Sequence, residues 1–567
     1  MAKKEYDIKG MSIEDGEGLE LVNELEVMFE ACKKAKKAQI PRWRRNEDLY
    51  HGRFLKPFKL PKYKTRIEPN IVHSVVETMY SILTDRNPKV DLMPKVEEDS
   101  WKAQVSQDTI EYIFESQKAY RSISNMKRDG LIYGNGFMKI AMIDGEMNYV
   151  VPDPFTVFVD PLATTIEDAK CVIFATPTYV DDIKKAFPGK EVASEGNVDQ
   201  YRSFVKTEDK YATDKVNLEE LSPASRDSAS DYGGGQAIMK EAWYYKDDKL
   251  CLATWVGKTL LQKEESPYDR IPVAMFKNYQ SGHSIWGKGE PEVIESLAIG
   301  SSIALSQGMD NLIYHGNPAI VMSKSMAKLS GNRPSDKPGQ IYYTNGPHER
   351  VDRLPAGNVS SSTLPMAESM IKLADSVSGV HDITQGRNPS GVTASRAIQQ
   401  LQEASQQVIR AKERETGTDA IVDIYKITLS LIINNSEENI NIRRIDEDGG
   451  GYSFEEVRPY DLDMNVDFKY VPGSAMPESR ASRFDQAIDL LQLGLLDAEK
   501  FWRWTQKDIS KEILDEIMQQ KKAQQEAMMR DQEIIETSTD PQEIMDAQLR
   551  MRESVIPQEE GGEDAKK

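Results

Sequence analysis

The sequence predicts an α+β chain built of several regions, and three observations carry that expectation. Apolar residues recur at helical spacing over long stretches of the middle and the C-terminal third. Short apolar runs bounded by Gly, Pro and Asp mark strands in the first half and again near 440–472. The 567 residues are 39% hydrophobic and 29% charged, enough chain for more than one core. No run of about 18 apolar residues, the length that spans a bilayer, occurs in it.

Residues 19–39 read as a helix, with Leu21, Leu25, Met28, Phe29 and Cys32 on one face. A basic segment overlaps its end. From Lys33 to Arg66 there are 13 Lys and Arg against two acids, with Trp43, Tyr50, Phe54, Phe58 and Tyr63 interleaved. That pattern suits a nucleic-acid or acidic-partner surface. The acidic balance of the whole chain favours a solvated face or an intersubunit contact instead. Residues 70–84 form a short amphipathic helix that stops before Asn87-Pro88. A longer helical region spans 99–130, with Trp101, Val105, Ile110, Ile113, Phe114, Ile123 and Met126. From 131 the rhythm turns to strands, with turns at Asp144-Gly145 and around Pro152-Asp153-Pro154. Residues 189–236 are polar and irregular, which suggests an exposed insertion or a mobile loop. Strands resume with a meander whose turn is Asp247-Asp248.

A helix is expected over 290–316, where Ile294, Leu297, Leu305, Met309 and Leu312 make an apolar stripe and Gly300, Ser301 and Ser302 keep another face small. Asn317-Pro318 ends it. A turn-rich segment at 318–358 follows, with strand candidates AIVM and QIYYTN and basic residues Lys324, Lys328, Arg333, Lys337, Arg350 and Arg353. A second helix over 363–378 carries Met366, Met370, Leu373 and Val377, and Gly379 suits its C-cap. A Gly-rich loop then leads to a helical pattern from Ala394 to Asn435, with a kink or break at Thr416-Gly417-Thr418. Strands return over 440–472, with Asp446 to Gly451 as a hairpin tip, and residues 477–535 are helical. The last 32 residues hold nine acids and four bases and read as a helical or disordered extension.

Net charge is −20, which argues against tight non-specific DNA binding by the whole chain. Three scattered cysteines, Cys32, Cys171 and Cys251, fit a reducing compartment and form no CxxC metal site. No apolar leader run is visible near the N-terminus. Walker-A, H-E-x-x-H and G-x-S-x-G patterns are absent, and the six histidines stand singly. Gly134-Asn135-Gly136 lacks the third glycine of a dinucleotide fingerprint, so it is expected to be a turn feeding a strand. Asp446 to Val457 fails the calcium-loop pattern at its fifth and twelfth positions. Nothing here argues for catalysis, a metal or a cofactor. Extended regions of this kind need neighbours to bury their helix faces.

Taken in order, local stretches resemble the portal protein (head-to-tail connector) family of tailed bacteriophages, podovirus type. Trp43 to Tyr50-His51-Gly52, then Asn70-Ile71-Val72 with Val76-Glu77 and Asn87-Pro88, resemble its opening. Asp129-Gly130 through Tyr133-Gly134-Asn135-Gly136-Phe137-Met138-Lys139 resembles its "D…YG-x-G-x-x-K" turn and strand. Pro152-Asp153-Pro154 and Asp160-Pro161-Leu162-Ala163 with Asp168-Ala169 follow. Gly287-Lys288-Gly289-Glu290, leading to Gln307 and Asn311, is similar to the start of the stem. Gly379-Val380 through Gly386-Arg387-Asn388-Pro389-Ser390-Gly391 and Thr393-Ala394 is similar to the tunnel loop. The likeness covers roughly residues 40–510.

The resemblance implies a multi-region α+β portal fold: an α/β wing, a two-helix stem, a small α/β clip, a long kinked helix and a helical crown. Carried over, the wing is 1–289 with the insertion 189–236, the stem helices are 290–316 and 359–379, and the clip is 317–358. The tunnel loop is 380–393, the return to the wing 394–475, the crown 476–535 and the acidic tail 536–567. It also implies a homododecameric ring at one capsid vertex, in the virion after assembly in the host cytoplasm, and no enzyme activity. Implied partners are further copies of the chain, the major capsid protein, the terminase large subunit, a tail adaptor and double-stranded DNA in the channel, with no membrane. Twelve copies carry roughly −240 charges, a sign that lets DNA slide rather than stick. Gln385, Arg387 and Asn388 on the loop are the candidate DNA contacts, and Lys324, Lys328, Arg333 and Lys337 the candidate docking cations of the clip. The alternative is a soluble adaptor or scaffold that binds nucleic acid through Lys33–Arg66.

Overall fold

A computed structural model of the chain describes residues 13–61, 63–143, 145–194, 235–280, 282–316, 320–324, 328, 352–353, 363–380, 407–435, 439–445 and 452–472. The chain divides into two compact units, Met1–Pro477 and Glu478–Lys567, and every described residue belongs to the first. The expected crown and tail therefore lie outside the described residues, as does most of the 189–236 insertion.

Helix α1 (Ile13–Lys36) is followed by α2 (Gln39–Tyr50), so part of the basic segment is helical. Helix α3 (Ile71–Leu83) starts where Asn70 accepts the His73 N–H on its side-chain oxygen at 3.1 Å, an N-cap that satisfies one orphan donor. Strand β1 (Val90–Pro94) leads to α4 (Ser100–Ser116) and α5 (Ala119–Tyr133). The single helical region expected over 99–130 is thus two helices. Lys118 breaks it in the left-handed conformation, φ 56°. No Gly or Pro announces this break. Tertiary packing accounts for it, since Phe114 before it meets the Tyr120 ring at 5.7 Å and the Tyr425 ring at 4.8 Å.

Gly134 closes α5 at φ 94°, and the next residue begins β2 (Asn135–Ile143), the turn and strand expected there. Then come β3 (Glu146–Val150), β4 (Val157–Val159), β5 (Cys171–Tyr179), α6 (Val180–Ala186), β6 (Gln236–Lys246), β7 (Lys249–Val256), β8 (Thr259–Glu265) and β9 (Val273–Lys277). The remaining elements are α7 (Glu290–Gly316), β10 (Ile320–Val321), β11 (Asp352–Arg353), α8 (Thr363–Ser378), α9 (Gln407–Thr416), a π-helical turn (Gly417–Ile421), α10 (Val422–Asn435), β12 (Ile440–Ile445), β13 (Tyr452–Val457) and β14 (Val466–Tyr470).

Two sheets have the orders β4-β5-β6-β7-β8 and β3-β2-β9, and three further strand pairs are β1-β14, β10-β11 and β12-β13. Every pairing among the described residues is antiparallel. The described residues are therefore α+β, and for them the α/β description of 1–289 is corrected, because antiparallel pairing needs no parallel crossover helices. Strand β10 pairs with Asp352–Arg353; the QIYYTN stretch expected as a strand lies outside the described residues.

The five-stranded sheet is apolar on both faces. Cys171, Ile173 and Ala175 point one way and pack with Leu21, Val22, Leu25, Phe29 and Cys32 of α1. Val172 and Phe174 point the other way, toward Phe137, Ile271 and Val273. This is the period-2 alternation of a strand buried on two sides. Lys36 at the end of α1 is fully buried, and its Nζ donates to the carbonyls of Pro154, Phe155 and Val157 at 2.8, 2.8 and 2.6 Å. Burial pulls its pKa well below the usual lysine range. The largest core joins α3, α4, α5 and α10 around Ile110, Phe114, Met126 and Tyr425. Strand β14 returns to β1 with Val90 opposite Tyr470.

The β6–β7 turn places both Asp247 and Asp248 at positive φ, 51° and 61°. That geometry favours glycine at the second position. Asp248→Gly is expected to raise stability by about 0.5–1 kcal/mol in urea denaturation. An unchanged or lower midpoint would show that the turn carries no strain.

Candidate functional site

Two sequence stretches far apart meet at the base of α7. The Asn135 side chain donates to the Ile285 carbonyl at 3.0 Å and accepts the Gly287 N–H at 2.7 Å. The Asn278 N–H donates to the Gly134 carbonyl at 3.0 Å. Gly134-Asn135-Gly136 is thus the seat for Gly287-Lys288-Gly289, which enters α7. A β-carbon at Gly289 would stand 2.1 Å from the Ile132 carbonyl oxygen, so only glycine permits this approach.

The first residue of α7, Glu290, is fully buried and salt-bridged to Lys412 of α9. Asn278 Nδ2 and Tyr279 OH donate to the same carboxylate at 2.9 and 3.2 Å, and the Lys412 ammonium sits 3.9 Å from the Tyr279 ring centre. Burial first, and the Glu290 carboxylate second, raise the Tyr279 phenol pKa. A buried charge needs such partners, and removing one of them exposes the full desolvation cost of the other.

The basic segment locks onto the same helix. Arg42 pairs with Glu292 at 2.6 Å, Arg45 with Glu295 at 2.6 Å and Lys64 with Asp310 at 3.3 Å. Arg53 and Lys56 pair with Asp48 at 2.9 and 3.1 Å. The Thr65 and Ile67 N–H groups donate to Asp310 and Ser306, each at 2.9 Å. Arg42, Arg45, Arg53, Lys56 and Lys64 of the Lys33–Arg66 segment are therefore paired inside the chain. This is evidence against the adaptor reading, in which those cations face phosphate.

Helices α7 and α8 pack on one another antiparallel. A β-carbon at Gly300 would meet Met370 Sδ at 2.8 Å, whereas one at Gly308 would meet Thr363 Cγ2 at 3.6 Å. Small residues are also buried on both helices: Ala298, Ser301, Ser302 and Ala304 on α7, and Ala367, Ala374 and Ser378 on α8. Several large apolar side chains are exposed instead. Leu312 is 59% exposed, and Leu364, Met366, Leu373 and Val377 are each more than half exposed. The expected stripes are split: Ile294 is buried in the core and Met370 lies against Gly300, whereas Met309 and Leu312 of α7 and Met366, Leu373 and Val377 of α8 face outward. Gly379 ends α8 at φ 76°, as a C-cap glycine does.

The π-helical turn falls where a break is expected in 394–435; residues 394–406 lie outside the described residues. Its cause is long-range. Gly417 lies against the Tyr470 ring, where a β-carbon would come within 2.1 Å, and Tyr470 OH donates to Glu413.

Of the candidate site residues, Lys324 and Lys328 are exposed. Arg333, Lys337, Gln385, Arg387 and Asn388 lie outside the described residues, so the structure brings no set of them together. Asn135 and Glu290 stand in the sequence as members of the Gly134–Lys139 and Gly287–Glu290 motifs with no partner assigned, and Lys412 is not singled out there. The only signal for them was the pair of Gly-x-Gly turns, which reads locally as loop punctuation. Among the described residues no group of three or more His, Cys, Asp or Glu is placed to hold a metal ion, and no helix is long and apolar enough to cross a membrane.

A family model described as phage SU10 portal protein matches residues 142–556. No curated protein matches the chain.

Proposed function

The chain belongs to the phage SU10 portal protein family, and from that premise we propose that it closes into a ring whose channel passes double-stranded DNA at one capsid vertex. The family is structural rather than enzymatic, and its setting is the phage particle. In this proposal twelve copies assemble within the host cytoplasm, are surrounded by the major capsid protein, and dock the terminase large subunit during packaging. A tail adaptor replaces it before ejection.

The observation that carries the ring is the outward apolar face of α7 and α8. A single chain leaves Leu312, Leu364, Met366, Leu373 and Val377 in water. Exposed apolar side chains gathered on two paired helices mark a contact surface, and a heterologous contact repeated by rotation buries them in every copy. In this assignment α7 and α8 are the stem, 317–358 the clip, 380–393 the tunnel loop, 1–289 with 394–475 the wing, and 476–535 the crown. Native mass spectrometry and negative-stain imaging of the purified chain without DNA test it. A closed ring near twelve subunits is expected; a monomer that binds DNA tightly would overturn it in favour of the adaptor.

The tunnel loop is proposed to touch the DNA backbone through Gln385, Arg387 and Asn388, contacts that position without reading sequence. Replacing all three by Ala is expected to lower DNA retention after packaging while rings still form. Retention equal to that of the unaltered chain would remove the loop from the mechanism. Lys324, Lys328, Arg333 and Lys337 are proposed to meet acidic surfaces of terminase and adaptor in turn, a long-range attraction that speeds docking.

A further inference from the structure

We propose that Cys32 and Cys171 are a latent disulfide site, which closes when the chain meets a disulfide oxidant and fastens α1 to the five-stranded sheet. Their Sγ atoms lie 3.8 Å apart across the α1–β5 contact, and both residues are buried and unbridged. A disulfide bond is about 2.05 Å long, so the sulfurs must approach by roughly 1.8 Å. Rotation about the two Cα–Cβ bonds supplies movement of that order.

The backbone on both sides is already held. One turn before Cys32, the Phe29 ring packs edge-on against Phe158 at 4.8 Å. One turn after it, Lys36 is tied to three carbonyls beside β4. Cys171 opens β5, pairs with Tyr244 and accepts the Asp160 N–H at 3.1 Å. The site is therefore built on two fixed elements and not on a loop.

The third cysteine supplies an internal control. Tyr244 pairs with Cys171 on one side and with Cys251 on the other. Cys251 is thus two strands from Cys171, about 9–10 Å between backbones at ordinary strand spacing, beyond the roughly 7 Å limit for a bridge. It shares the apolar layer under α1 but lies out of reach of Cys171.

The chemistry balances as thiol–disulfide exchange. One cysteine, as thiolate, attacks an external disulfide, forms a mixed disulfide and releases one thiol. The second cysteine attacks that protein sulfur, and the second external thiol leaves. Two electrons and two protons pass to the oxidant. In a reducing cytosol the pair persists as thiols, whereas a chain in a particle outside the cell meets conditions in which the bond survives.

The test uses the full-length chain incubated with oxidised glutathione or with dithiothreitol, then denatured, alkylated and weighed intact. Reduced protein is expected to carry three alkyl groups and oxidised protein one, with a Cys32–Cys171 linked peptide in the non-reduced digest. The oxidised form is expected to melt at higher temperature, reversibly on reduction, and Cys251→Ser to show the same loss of two thiols. Three free thiols after oxidation, glutathione adducts without a linked peptide, or a bridge to Cys251 would each overturn the proposal.

Discussion

Leu312→Glu combined with Leu373→Glu is expected to abolish ring assembly and leave a folded single chain. Both side chains are more than half exposed, at 59% and 53%, so the isolated subunit loses little by the change. The assembled state loses far more. Each buried Leu is worth roughly 1.5–3 kcal/mol, and each Glu brings a carboxylate that must be desolvated without a partner, a further few kcal/mol. Loss of about 4 kcal/mol at one contact lowers its affinity about 10³-fold, and a ring repeats that loss at every contact. Sedimentation velocity separates ring from monomer, and circular dichroism reports whether the monomer stays folded. Rings that form as before would show that this face is not the intersubunit contact. The α7–α8 approaches at Gly300–Met370 and Gly308–Thr363 involve neither substituted residue.

Gly289→Ala is expected to prevent stable folding, at a cost of about 4 kcal/mol or more. The added methyl would stand 2.1 Å from the Ile132 carbonyl oxygen and 2.9 Å from Asn46 Nδ2. Neither neighbour is free to withdraw. Ile132 belongs to the last turn of α5, which Gly134 caps by donating to the Gly130 carbonyl at 2.8 Å. Asn46 Nδ2 donates to Glu292 at 3.0 Å. The strain therefore spreads to the entry of α7 and to the buried Glu290–Lys412 pair one residue on. Gly145→Ala is the control. Gly145 has φ 80° but nothing within 4 Å of the added carbon, so its cost is only the left-handed backbone penalty of about 1–2 kcal/mol. Urea denaturation measures both. Equal midpoints for the two variants would mean that the α5–α7 contact tolerates a methyl group.

These two predictions rest on opposite kinds of residue, and the sequence announces them unequally. Local chemistry is readable. Asn70 before an apolar run, Asp144-Gly145 between alternating strands and Gly379 after a helix each act within a few residues, through side-chain capping or a permitted φ. The helices at 290–316 and 363–378 are legible for the same reason, since their period is local. Partners are not local. Periodicity shows that Leu312 and Leu373 share a stripe type, but it is silent on whether their own subunit covers them.

What the sequence by itself determined is the α+β composition, the order of most described elements, the missing enzyme signatures and a family resemblance that the match over residues 142–556 supports. Only the tertiary structure decided the break at Lys118, the strand orders of the sheets, the use of the basic segment as clamps on α7, and which members of the apolar stripes face outward. The physical reason is the range of the forces involved. Capping, propensity and turn geometry are set by neighbours along the chain. Ion pairs such as Arg42–Glu292, close approaches such as Gly289 to Ile132, and the ring of Tyr470 against Gly417 join residues far apart in it. Their identity becomes visible only once the fold has brought them together.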